Sequence, residues 1–141
     1  MTGILLVTHG DFAKGIMDSM EMLCGPQENL KVKSLRIADD VEDYAEEIKQ
    51  TAAELNKGEG VLILADLLGG SPANVVCRFL PEEEMIECLA GLNFPMLNEA
   101  VTSRESMELA ELTEACRIAG CAGIVNVKQA LVSCMEDSEE D

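Results

Sequence analysis

The chain has 141 residues and a net charge of −17, which makes nucleic acid and anionic membrane poor partners and favours a partner with a basic face. Hydrophobic residues make up 48%, enough for one core. With no Trp, one Tyr and three Phe, that core must be built from Leu, Ile, Val, Ala and the eight Met. The length predicts one domain, residues 1–135, followed by a tail at 136–141 whose five acids predict disorder.

Apolar runs alternate with helical patterns along the chain. Residues 3–8 read as a buried strand. Asp11 to Cys24 reads as a helix with Phe12, Ile16, Met20 and Leu23 on one face, ended by Gly25-Pro26. Leu30, Val32 and Leu35 mark a second strand, with Lys31 and Lys33 alternating outward as on a sheet edge. Asp39 or Asp40 can cap the next helix, whose face carries Val41, Tyr44, Ala45, Ile48, Ala52 and Leu55. Residues 61–65 contain no polar side chain and form a central third strand. Pro72 suits the first turn of a third helix running to about Leu80. A fourth strand comes next at 84–90, then a short helix from Pro95, and a longer helix from Ser106 to about Ala119. Residues 123–127 read as a short fifth strand.

This alternation predicts a three-layer α/β/α fold with a mostly parallel sheet. The common order for few strands is 2-1-3-4, which places strands 1 and 3 side by side where the winding reverses. Ligands bind such sheets at the carboxyl ends of the strands at that switch point. His9, the only histidine, follows strand 1 in Thr8-His9-Gly10, and Asp66 follows strand 3. The two are therefore predicted to meet.

Each of these residues has an ordinary reading and a chemical one. A single histidine can be a surface or capping residue; after a buried strand it is a candidate nucleophile. Asp66 can be a helix cap or a solvated loop acid. Beside His9 it would fix the ring tautomer and stabilise a charged ring, as the acid does in a Ser-His-Asp triad. Gly69-Gly70-Ser71-Pro72 can be a flexible turn before a helix, or a small anion cradle of close backbone, hydroxyl and helix N-terminus. Gly10 and the turn after it can contribute in the same way. The run is not a P-loop, because Gly-Lys-Ser/Thr is absent. No basic residue stands in either loop, which suits transient handling of a phosphoryl group better than tight nucleotide binding.

The six cysteines, at 24, 77, 88, 116, 121 and 134, fall mostly inside predicted helices and strands without a C-x-x-C pair. They read as small apolar residues in a reducing, cytoplasmic setting, not as disulfides or a zinc site. No leader is expected before a first strand that begins at once, and no cofactor or metal is expected.

The ordered set Thr8-His9-Gly10, Glu21-Met22-Leu23-Cys24-Gly25, Gln27-Glu28-Asn29, residues 60–74 and residues 90–97 resembles the IIA component of the mannose, fructose and sorbose family of the bacterial phosphoenolpyruvate-dependent sugar phosphotransferase system. The likeness weakens after about residue 102. It implies that His9 carries the phosphoryl group, that Asp66 hydrogen-bonds the ring, and that Gly69, Gly70, Ser71 and nearby amides line the phosphate site. It implies phosphorylated HPr as donor, a IIB component in trans as acceptor, and membrane IIC and IID components downstream. It further implies a homodimer completed by an exchanged fifth strand, for which residues 123–127 are the candidate. Leu67-Leu68 departs from the polar and aromatic pair common in the family. Three rival readings keep the fold: a phosphoryl donor to a dihydroxyacetone kinase, a regulatory domain sensing phosphorylation, and a small-molecule-binding flavodoxin-like domain.

Overall fold

A four-stranded sheet whose two central strands are buried on both faces organises the molecule, and a computed structural model describes residues 1–139. The elements in chain order are β1 (Gly3–His9), α1 (Phe12–Cys24), β2 (Leu30–Leu35), α2 (Val41–Leu55), β3 (Val61–Ala65), α3 (Ser71–Cys77), β4 (Ile86–Ala90), α4 (Phe94–Ser103), α5 (Leu109–Ala122) and α6 (Val127–Glu139). A single 3-10 turn, Leu80–Glu82, precedes β4. The strands pair in the order β2-β1-β3-β4, all parallel, as the alternation predicts.

The two-residue period of β1 and β3 divides the core. Ile4, Leu6, Leu62 and Leu64 face one side and pack with Met17 and Met20 of α1, Leu97 of α4 and Leu112 and Cys116 of α5. Leu5, Val7, Val61, Ile63 and Ala65 face the other and pack with Tyr44, Ile48 and Leu55 of α2 and Val75 and Val76 of α3. The fully apolar run at 61–65 follows from burial on both faces. β2 is an edge strand, and its outward lysines are paired: Lys31 with Glu54 and Lys33 with Glu47. Burial pushes the Cys88 and Cys116 thiols up to about 12, so both behave as apolar side chains.

Local capping differs from residue type alone. Asp40 caps α2, accepting from the Glu42 and Asp43 amides at 2.8 and 3.0 Å. Asp11 stands before α1 without capping it. The fully buried Thr8 hydroxyl accepts from the Ala13 amide at 3.0 Å and satisfies that turn instead.

Two expectations fail at the C-terminal end. Residues 123–127 form no fifth strand: Gly123 ends α5, residues 124–126 lack regular structure, and Val127 begins α6. A β-branched triplet read locally as strand is outvoted by the Val127, Leu131 and Met135 spacing, which repeats every four residues as on one helix face. The acidic tail is also shorter than expected, because α6 runs through 136–139; residues 140 and 141 lie outside the described residues. α6 leaves α5 at 89°. Its Val127, Leu131, Val132 and Met135 remain exposed, as do Ile124 and Val125 before it. Among the described residues no single helix is long and apolar enough to cross a membrane.

Candidate active site

β1 and β3 lie side by side, so their carboxyl ends deliver His9 and Asp66 to one point across 57 positions of sequence. Asp66 Oδ2 is 2.9 Å from the His9 amide nitrogen and 2.7 Å from His9 Nδ1. One carboxylate oxygen thus holds both the backbone and the ring of the same residue. Burial pushes the Asp66 carboxyl up, but the His9 amide, the His9 ring and the neighbouring Leu67 amide outweigh it and hold it below the usual carboxylate range.

That charge state decides the tautomer. An ionised carboxylate only accepts, so Nδ1 must carry the proton and donate it to Asp66. Nε2 is left with its lone pair, and no hydrogen bond reaches it among the described residues. The ring is 50% exposed while the Asp66 side chain is 16% exposed, so the imidazole is presented to solvent and its anchor is sheltered.

The glycine loop supports the ring by shape. A Cβ on Gly70 would lie 2.7 Å from His9 Cε1 and 3.4 Å from Nε2, so only glycine fits beside the imidazole. Gly10 takes φ +53 in the tight turn after β1. Its amide donates to the Leu35 carbonyl at 2.8 Å, and that of Gly70 donates to the Leu67 carbonyl at 3.2 Å. Of the residues assigned to an anion, Gly10 and Gly70 therefore shape the site with their amides already engaged. Gly69 and Ser71 remain as donors. Pro72 has no N–H, leaving the Ser71 and Ala73 amides in the first turn of α3. Asn74 secures the loop, donating from Nδ2 to the Gly69 carbonyl at 3.2 Å and from its amide to the Gly70 carbonyl at 2.9 Å.

His9 and Ser71 line a cleft of about 660 Å³ whose other wall is Leu35 at the end of β2, Arg36 to Asp39 of the β2–α2 connection, and Val41. Arg36 on that wall brings a cation to the cleft that neither the His9 loop nor the Asp66 loop supplies. It is ion-paired with Asp11. Ile37, Leu67 and Leu68 on the connections at this end of the sheet, and Phe12 at the start of α1, are exposed apolar side chains. Arg36 was not apparent as a site residue because it lies on neither strand of the switch point. Its one signal is the register: it directly follows Leu35, which pairs with His9.

The comparisons with known proteins bear on the family. The model described as the PTS system fructose IIA component matches residues 3–117. The chain belongs to this IIA family. It is 36% identical over 102 residues to the PTS system mannose-specific EIIAB component of Escherichia coli strain K12, covering 72% of this chain and 32% of that protein. It thus spans about a third of that relative's length. It is 29% identical over 112 residues to the PTS system fructose-specific EIIA component of Bacillus subtilis strain 168, covering 79% of this chain and 77% of that one. The crystal structure of phosphotransferase system component EIIA from Streptococcus agalactiae superposes with a TM-score of 0.84 at 31% identity, covering 92% of this chain and 99% of that one. The resemblance noted in the sequence and the three-layer α/β/α fold of the IIA component both stand on these findings.

Proposed function

We propose that this IIA component is a phosphocarrier of a bacterial, cytoplasmic sugar phosphotransferase relay. His9 takes a phosphoryl group from phosphorylated HPr and passes it to a IIB component, which serves sugar uptake through membrane IIC and IID components. The observation that carries the reading is the 2.7 Å contact between His9 Nδ1 and Asp66, which leaves Nε2 free on an open cleft. The Nε2 lone pair attacks the phosphorus of the donor phosphohistidine. The donor N–P bond breaks as the His9 N–P bond forms, and its electron pair returns to the donor nitrogen. No proton need move on His9, because Nδ1 already holds its proton against Asp66. The positive charge gained by the ring is balanced across that hydrogen bond. Transfer to IIB runs the same step in reverse.

A relay gives up its phosphoryl group to an acceptor, whereas a sensor keeps it. Chain labelled from phosphorylated HPr should lose its label when a mannose-family IIB domain is added, and the label should appear on IIB. Label retained on this chain would reduce it to a sensor of phosphorylation state.

Gly70→Ala tests the packing around the ring. The backbone there has φ −80 and ψ 160, which alanine tolerates. The added methyl group must instead push the imidazole off its bond to Asp66. Transfer should fall roughly ten- to hundredfold, as misplacement of a reacting group does, with thermal unfolding little changed. A normal transfer rate would show that the ring has room to move.

The apolar residues of 124–135 are exposed, and β4 has a neighbour on one side only. A homodimer in which this arm packs on a second subunit would cover them. Light scattering should give a dimer for the full chain and monomer or aggregate after truncation at Gly123. Removing residues 136–141 alone should leave the dimer intact. A monomeric full-length chain, or a dimer that survives loss of 124–135, contradicts this assembly.

A further inference from the structure

Arg36 stands one residue beyond Leu35, the register partner of His9 in the β1–β2 pair. The Leu35 carbonyl also accepts from the Gly10 amide at 2.8 Å, so the strand pairing continues past His9. Neighbouring strands lie about 4.8 Å apart, and an extended arginine side chain spans more than that gap. The Arg36 backbone is fixed by a closed turn. Its amide donates to Asp39 Oδ2 at 2.8 Å, and its carbonyl accepts from the Asp39 amide at 3.0 Å. The guanidinium is held differently, by an ion pair with Asp11 in which both side chains are more than half exposed. Pairs of that kind are weak, so the side chain can leave at small cost while its base stays in place.

From this placement the geometry points to Arg36 as a phosphoryl-binding residue, parked on Asp11 in the unphosphorylated chain and drawn onto the phosphoryl group once it is on His9 Nε2. The assignment rests on the phosphohistidine reading and adds a cation to it. A phosphoryl group carries a charge of about −1.5 to −2 and three acceptor oxygens, whereas Asp11 offers one charge. The planar fork of Arg36 matches two phosphoryl oxygens at once. No bond to Arg36 is made or broken, and it moves no proton; it neutralises charge in a chain where acids outnumber Lys and Arg by 27 to 10. The other charged groups at this end of the sheet are Asp11 before α1, Lys14 in its first turn, Asp39 and Asp40 from the β2–α2 connection, and Asp66 from the β3–α3 loop. Arg36 is the cation among them that lines the cleft with His9 and Ser71.

The test is a phosphorus NMR titration of the full chain loaded with phosphoramidate, which phosphorylates histidine without a protein donor. A bound cation favours the dianion, so Arg36→Gln should raise the second ionisation of the phosphoryl group by roughly 0.3–0.7 of a unit. Arg36→Lys should recover part of that shift, and the difference should shrink in high salt. Equal titration curves for the parent chain and Arg36→Gln overturn the assignment and leave the phosphocarrier reading standing. A parent chain that takes up no phosphoryl group on His9 overturns both.

Discussion

His9→Ala will take up no phosphoryl group from phosphorylated HPr, and the parent chain will take up one. The loss should be complete, because this is the only histidine in the sequence. The change leaves the strand pairing alone: the backbone amide of residue 9 still reaches Asp66, and the lost ring is half exposed. Cooperative thermal unfolding of the variant should show an intact fold, so that loss of uptake reports chemistry. Acid-labile, base-stable label persisting in His9→Ala would mean that another residue carries the group and that the switch-point geometry has a different use.

Asp66→Asn should slow transfer by about 2–4 kcal/mol in barrier, roughly 30- to 1,000-fold. Two effects act together. The ionised carboxylate can only accept, which forces the Nδ1–H tautomer; an amide can turn its NH2 toward Nδ1 and place the ring proton on Nε2, where it blocks attack. The amide also fails to balance the charged ring of the phosphorylated state. The same variant changes acid stability in a defined direction. The folded Asp66 pKa is lowered, so the stability it contributes is present above the unfolded carboxylate value of about 3.9 and is lost as pH falls through the folded value. Asp66→Asn should be less stable than the parent at neutral pH, and the two should converge as acid titrates the parent. Unchanged transfer kinetics would leave Asp66 as a structural anchor for the His9 backbone only.

The central sheet and the meeting of His9 with Asp66 were legible because both derive from period and order. Residues 61–65 are apolar throughout, β1 is nearly so, and parallel connections of one hand leave few ways to arrange four strands. The features that were not legible depend on contacts between loops distant in sequence. Arg36 looks like any charged residue after an edge strand until the register sets it beside His9. Asp11 reads as the start of a helix, yet it stands before α1 and pairs with Arg36 while the Thr8 hydroxyl satisfies the first turn from the strand before. The Gly10 and Gly70 amides look free in sequence and are spent on Leu35 and Leu67. The stretch at 123–127 misled because its β-branched residues favour strand locally, and the repeat that starts at Val127 shows only over two further turns.

The position of phosphorus on the His9 ring tests the central claim most directly. Asp66 occupies Nδ1 at 2.7 Å, so only Nε2 is open to a donor. Chain phosphorylated by phosphoenolpyruvate, the first enzyme of the system and HPr, with the histidine nitrogens isotopically labelled, should show nitrogen–phosphorus coupling to Nε2 alone. Nδ1 should still be protonated and hydrogen-bonded. Phosphate on Nδ1, on Ser71 or on no residue of this chain would contradict the account.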